Sequence, residues 1–192
     1  MKIVSNRIFN LVLASALFIL LFPLFVLIYI LILIESPGNP IIIQNREGKG
    51  RKAFRMYKFR TMYAGAERDY EKLRRRSISS GPVFRLPGDP RVTKIGKLLR
   101  RGFDEMPQLI NVIKEEMDLV GPRPFIISES KRINKKYEKR FFVNPGMASP
   151  AIINIGRHKD FNSWMESDLE CAKSKSVGYD LIVLLKTLKV IF

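Results

Sequence analysis

A long run without charge dominates the N-terminal part of this chain. From Ile8 to Ile34 there is no Asp, Glu, Lys or Arg, and only Asn10, Ser15, Pro23 and Tyr29 interrupt the apolar side chains. About 20 apolar residues suffice to cross a bilayer as a helix, and this run is longer. A secretory signal has a shorter apolar region that ends at a small-residue cleavage site. Ala14-Ser15-Ala16 has that look, yet the apolar run continues well past it. The segment is therefore expected to be retained as a membrane element over residues 1–36, followed by a membrane-associated domain over 37–192.

Pro23 sits inside the run. It has no backbone N–H, and its ring crowds the carbonyl of Ile19, so a bend is expected there. The flanks add a second constraint. Lys2 and Arg7 precede the run, and Arg46, Lys49, Arg51, Lys52, Arg55, Lys58 and Arg60 follow it. Cationic flanks favour the cytoplasm. A helix that dips into the bilayer, bends at Pro23 and returns satisfies both flanks. An ordinary kinked span with the N-terminus outside is the competing topology.

The rest of the chain is strongly basic. The protein carries 34 Lys+Arg against 18 Asp+Glu, a formal charge of +16, which implies anionic partners: nucleic acid, anionic lipid or phosphorylated small molecules. The one cysteine, Cys171, excludes an internal disulfide, and no Cys/His cluster suggests zinc. The lone His158 reads as a surface or hydrogen-bonded residue.

Local patterns then place the candidate chemistry. Ile41–Gln44 and Ala53–Met62, joined across Gly48-Lys49-Gly50, read as a β-hairpin. On its second strand Lys58 and Arg60 are two apart and share a face, which suits a diphosphate; a juxtamembrane patch for anionic lipid is the plainer reading. Residues 64–76 read as a solvated helix, with acids early and bases late. Ser77 to Pro90 reads as a loop. Apolar residues at helical spacing predict a helix over 104–117, with Pro107 in its first turn. That would put Asp104 and Glu105 at the helix start, where exposed amides and nearby arginines favour the ionised acids. Acids at a helix start are also ordinary. Gly121-Pro122-Arg123-Pro124 is a stiff loop presenting one guanidinium, able to grip phosphate bidentately. Leu181, Ile182, Leu184, Leu185 and Leu188 make the C-terminal segment either an interfacial helix or one packed on the core.

The order of these motifs resembles the bacterial sugar transferase family, the small monotopic polyprenol-phosphate phosphoglycosyl transferases. The matching stretches are Ser36-Pro37-Gly38, Tyr57-Lys58-Phe59-Arg60-Thr61-Met62, Asp89-Pro90-Arg91-Val92-Thr93, Asp104-Glu105-Met106-Pro107-Gln108-Leu109, Leu119-Val120-Gly121-Pro122-Arg123-Pro124, Pro145-Gly146 and Gly156-Arg157. The resemblance implies an α+β fold: a re-entrant N-terminal helix kinked at Pro23, then a small, mostly helical domain with a short hairpin and interfacial helices, on the cytoplasmic face of a bacterial inner membrane. It implies transfer of a sugar 1-phosphate from a UDP-sugar to polyprenol (undecaprenol) phosphate with release of UMP, as the first membrane step of glycan assembly. In that chemistry Asp104 is the nucleophile, Glu105 holds Mg²⁺ with it or orients phosphate, and Lys58, Arg60, Arg100, Arg123, Arg157 and Asp168 bind substrate. Arg91 is ambiguous between a site and a structural role, and Asp168 between a site role and a salt bridge. The implied partners are the UDP-sugar, the polyprenol phosphate and the bilayer, without nucleic acid; a homo-oligomer is left open.

The sequence also departs from the family pattern. Phe22 replaces the serine that usually precedes Pro23. The stretch between Gly96 and Asp104 is one residue short, and Gly102 stands where larger residues are common. After Pro145-Gly146 the usual Thr-Gly and Gln give way to Ala148-Ser149-Pro150 and Ile153-Asn154, and Asn144 replaces an arginine. Two rival readings are a catalytically silent family member and a membrane-anchored basic domain that binds nucleic acid or anionic lipid. Binding alone gives no reason for paired acids beside arginines.

Overall fold

A computed structural model describes residues 2–78, 84, 86–154 and 160–191. The fold is α+β. Its first element, α1 (Lys2–Glu35), continues as one helix through Pro23 and is the one helix among the described residues long and apolar enough to cross a membrane. At 1.5 Å per residue it is about 50 Å long, against about 30 Å for a bilayer core.

One face of α1 packs along the domain, and the opposite face stays open, including Ile19, Leu20 and Ile34. Near its start, Arg7 Nε donates to Glu115 Oε1 at 2.6 Å. The buried Asn10 accepts the backbone N–H of Leu119 at 2.8 Å. Ala14 then packs on Phe54, Met56, Leu109 and Val112. Past Pro23, Ile28 and Ile32 pack on Phe59, Leu99 and Met106. At the C-terminal end, both Glu35 oxygens accept the N–H groups of Lys94 and Ile95, at 2.6 and 2.9 Å. These are orphan donors at the start of a helix. Both ends of α1 are thus fastened to the same domain.

The hairpin forms as the sequence indicates. Strands β1 (Ile41–Glu47) and β2 (Ala53–Phe59) pair antiparallel, with Ile42 opposite Lys58. The turn uses positive φ at Gly50 and Arg51. The segment predicted as a helix over 64–76 is a 3₁₀ turn, Ala66–Asp69, running into the short α2 (Tyr70–Arg74). Thr93 caps α3 (Lys94–Leu99) by accepting the Gly96 N–H at 2.8 Å. A Cβ on Gly96 would stand 2.1 Å from the Thr61 carbonyl oxygen, so α3 meets the chain beyond β2 backbone to backbone.

The helix predicted over 104–117 is shorter and starts later. Phe103–Glu105 is a 3₁₀ turn, and α4 runs only Gln108–Ile113. Glu115 takes a positive φ of 62°, which ends the helix and turns the chain into β3 (Asp118–Val120). The sequence did not indicate the second sheet. In it β3 pairs parallel with β4 (Gly146–Ala148). Each strand has three residues, too few for alternation to register. Helices α5 (Ile127–Ser130), α6 (Pro150–Asn154), α7 (Phe161–Ser174) and α8 (Val177–Ile191) complete the fold. Helix α8 packs on the core, one of the two arrangements foreseen for it, and keeps an apolar side open. Val183 packs on Val120 and Cys171, while Leu181, Ile182, Leu185 and Leu188 stay exposed.

Candidate active site

The site is assembled where β2, the Phe103–Glu105 turn and the loop after β3 converge. Asn111 ties two of these together: its Nδ2 donates to Arg55 O at 2.7 Å, and its Oδ1 accepts the Tyr57 N–H at 3.1 Å. Asn111 is completely buried, so α4 is locked to β2 one residue before Lys58. Gly102 supplies the turn from α3 into the acids, with φ of +133°, a conformation open to glycine and strained for other residues. Gly102, read from the sequence as a departure from the family pattern, has a local reason in this turn.

Four charged side chains meet there. Lys58 Nζ lies 2.9 Å from Asp104 Oδ2 and 3.6 Å from Glu105 Oε1. Arg123 Nη1 donates to the same Glu105 oxygen at 3.0 Å. The Glu105 charge, with Asp104 adding to it, raises the Arg123 pKa above the ordinary arginine value. These side chains keep 12–29% exposure, so the cluster is only partly screened from solvent. Asp104 and Glu105 do not sit in the first turn of α4, as their spacing predicts. The 3₁₀ turn lets both carboxylates reach one ammonium.

Arg100 borders the cluster. Its Nε donates to Thr61 Oγ1 at 3.2 Å. Burial lowers its pKa, and the nearby Asp104 and Asp89 charges partly offset this.

Two residues expected to bind substrate are placed elsewhere. Arg60 is 8% exposed, and its guanidinium donates to the carbonyls of Ser36 and of Pro37, the latter at 3.2 Å. It fastens the linker after α1, because it lies beyond the end of β2, where the shared-face argument no longer holds. Asp168 has no exposure. It pairs with Arg140 Nη2 at 2.7 Å and accepts Ser149 Oγ at 3.2 Å, and burial raises its pKa. Asp168 is closed off in this structure and holds an arginine; of the two roles foreseen, the salt bridge is the one seen. Arg91 is likewise structural, gripping Asp89 with Nη2 at 2.6 Å and Nε at 2.9 Å. Arg157 and His158 lie outside the described residues.

The sequence reading missed Arg46. It comes in from β1 and donates to Pro124 O at 3.2 Å and Gln44 Oε1 at 2.6 Å. Burial and the neighbouring Arg123 charge lower its pKa to about 10. Two guanidinium groups held beside one another make an anion-attracting corner next to the acids. The Gln44-Asn45-Arg46 stretch lay in view as part of a basic flank, with nothing in its spacing to single it out.

No group of three or more His, Cys, Asp and Glu able to hold a metal occurs among the described residues. Asp104 and Glu105 supply two carboxylates. That donor set fits Mg²⁺ only when substrate phosphates and water complete the coordination, the usual arrangement for this ion.

The whole chain, residues 1–192, matches the model of the bacterial sugar transferase family. It is 37% identical over 170 residues to the galactosyl transferase CpsE of Streptococcus agalactiae, covering 86% of this chain and 38% of that protein. It is 36% identical over 188 residues to the UDP-N-acetylgalactosamine-undecaprenyl-phosphate N-acetylgalactosaminephosphotransferase of Aeromonas hydrophila, covering 94% of this chain and 42% of the relative. It is 30% identical over 190 residues to the exopolysaccharide production protein ExoY of Sinorhizobium fredii, covering 96% and 84%. The chain thus spans about two fifths of the first two relatives and most of the third. With the acid pair, the lysine of β2 and the proline-flanked arginine in one cluster, and a match along its full length, the chain belongs to the bacterial sugar transferase family.

Proposed function

We propose that this protein transfers a sugar 1-phosphate from a UDP-sugar to polyprenol phosphate, releasing UMP. The reading rests above all on the Lys58–Asp104–Glu105–Arg123 cluster: a carboxylate nucleophile within a ring of cations that can neutralise a diphosphate. The names of relatives, such as the Aeromonas undecaprenyl-phosphate phosphotransferase, support it.

In the first step an Asp104 oxygen attacks the phosphorus bonded to the sugar. A carboxylate–phosphorus bond forms, the bond to the bridging oxygen breaks, and UMP leaves with the electron pair. In the second step an oxygen of polyprenol phosphate attacks the same phosphorus and frees the carboxylate, giving the diphosphate-linked lipid sugar. A covalent carboxylate splits one difficult transfer into two easier ones. Lys58 must leave Asp104 for a phosphate oxygen as substrate enters. Arg123, Arg46 and Arg100 add positive charge where negative charge accumulates, the main need in phosphoryl transfer. Glu105 orients Arg123. Mg²⁺, held by Asp104 and Glu105 with the diphosphate, would neutralise further phosphate charge.

The lipid substrate sets the location. A helix of about 50 Å fastened to one domain at both ends fits a re-entrant path better than a straight crossing. The exposed apolar side of α8 fits a membrane surface. We place the domain on the cytoplasmic face of a bacterial inner membrane. The test is UMP release by the purified protein across a panel of UDP-sugars, with and without undecaprenol phosphate and Mg²⁺. Release that requires both supports the reading; none with any donor contradicts it.

A further inference from the structure

The Pro122-Arg123-Pro124 turn has one backbone N–H, that of Arg123, because proline has none. It cannot be held by its own donors, so its buried carbonyls need partners from elsewhere. Pro122 O accepts the Gly146 N–H at 3.0 Å, and distant cations supply the others. Arg140 Nη2 donates to Arg123 O at 2.6 Å, Arg46 Nη1 donates to Pro124 O at 3.2 Å, and Lys175 Nζ reaches Val120 O at the head of the loop. Arg140 and Asp168 are themselves paired, at 2.7 Å. One ion pair therefore supports the Arg123 residue, its cation donating to the Arg123 carbonyl and its anion holding that cation in place.

The orientation of that pair is fixed. The Arg140 guanidinium lies 4.5 Å from the ring centre of Phe125 and 5.0 Å from that of Phe141. Ser149 Oγ donates to the second oxygen of Asp168. The two charged side chains are 2% and 0% exposed, so neither meets a substrate.

We infer that Arg140 and Asp168 are a positioning couple for the proposed transfer: they fix the main chain of Arg123 so that its planar guanidinium meets Glu105 and the incoming phosphate. The inference rests on the proposed function of the cluster. A buried ion pair adds little stability over apolar side chains of similar size, but it directs hydrogen bonds that apolar groups cannot.

The test is a double-mutant cycle on the full chain. Arg140→Met combined with Asp168→Leu removes both charges together, leaving neither buried alone. We expect a folded protein whose kcat/KM falls about 30-fold, mainly in kcat, in the wild-type background, and less than about threefold in an Arg123→Lys background, where no planar fork remains to be aimed. An equal loss in both backgrounds, or no loss in either, would overturn the inference. Met165→Ala, in the same buried cluster, should lower the melting temperature while leaving the rate near wild type. A parallel loss of rate there would reduce the couple to packing. If the paired exchange fails to fold, Arg140→Lys, which keeps a cation beside Asp168 but loses the planar fork that also reaches Arg123 O, gives the same comparison with a smaller loss, about fivefold. If wild type releases no UMP from any donor, the proposed function fails by itself. UDP affinity, measured by calorimetry, then carries the cycle: weaker binding confined to the wild-type background supports the couple, and equal weakening or none overturns it.

Discussion

Lys58 Nζ stands 2.9 Å from Asp104 Oδ2 and 3.6 Å from Glu105 Oε1, with Arg123 on the same Glu105 oxygen at 3.0 Å. The ammonium is shared by the two acids, which keeps them together before substrate arrives. It also supplies the charge that the substrate diphosphate needs on arrival.

Lys58→Ala should therefore lower kcat/KM by about 10²–10³-fold, the range found when a donor to developing charge is lost. Arg74→Ala, on the solvated α2 with its nearest acid, Glu71, at 3.8 Å, should leave the rate unchanged. Equal sensitivity of the two positions would show that only bulk positive charge matters.

Gly102→Ala tests the turn that carries the acids. A side chain at φ +133° costs on the order of 1–3 kcal/mol. The melting temperature should fall, and the rate should fall further than the stability loss explains, because Asp104 moves relative to Lys58. A variant matching wild type in both would remove the turn from the account.

These two positions also show what was legible in the sequence. The long apolar helix, the hairpin and the Asp104-Glu105, Lys58 and Arg123 motifs were readable because each has a length, a period or a distinctive local chemistry. The three-residue strands β3 and β4 were not, and neither was the early end of α4, set by a positive φ at Glu115. Asn10 looked like an interruption of an apolar run but is a buried acceptor for Leu119. Arg60 and Asp168 carried the right charge types for a site. Only the fold shows that backbone carbonyls claim the first and Arg140 claims the second.

The fastening of both ends of α1 predicts a topology. With Arg7→Cys and Glu115→Cys in one chain, a short bis-maleimide should link the two positions within a molecule in native membranes. A membrane-impermeant maleimide should reach position 7 only from the cytoplasmic side. Labelling of position 7 from the outside would contradict the re-entrant path.

Cys171 should not interfere with that experiment. It is fully buried, and burial pushes its thiol up to about 12, so at pH 8 almost no thiolate is present. Maleimide should leave it unmodified in the native protein and label it after denaturation. Rapid native labelling would show that the α7–α8 packing opens.

The most direct measurement concerns Asp104 itself. The protein is incubated with a UDP-sugar and no lipid acceptor, and its peptides are weighed. One added sugar phosphate is expected on the peptide containing Asp104, labile as acyl phosphates are, and none in Asp104→Asn, which keeps the size and polarity of the side chain. A Glu105→Gln variant should turn over slowly and still form some adduct. An adduct on another residue, or full transfer by Asp104→Asn, would contradict the covalent role assigned to Asp104.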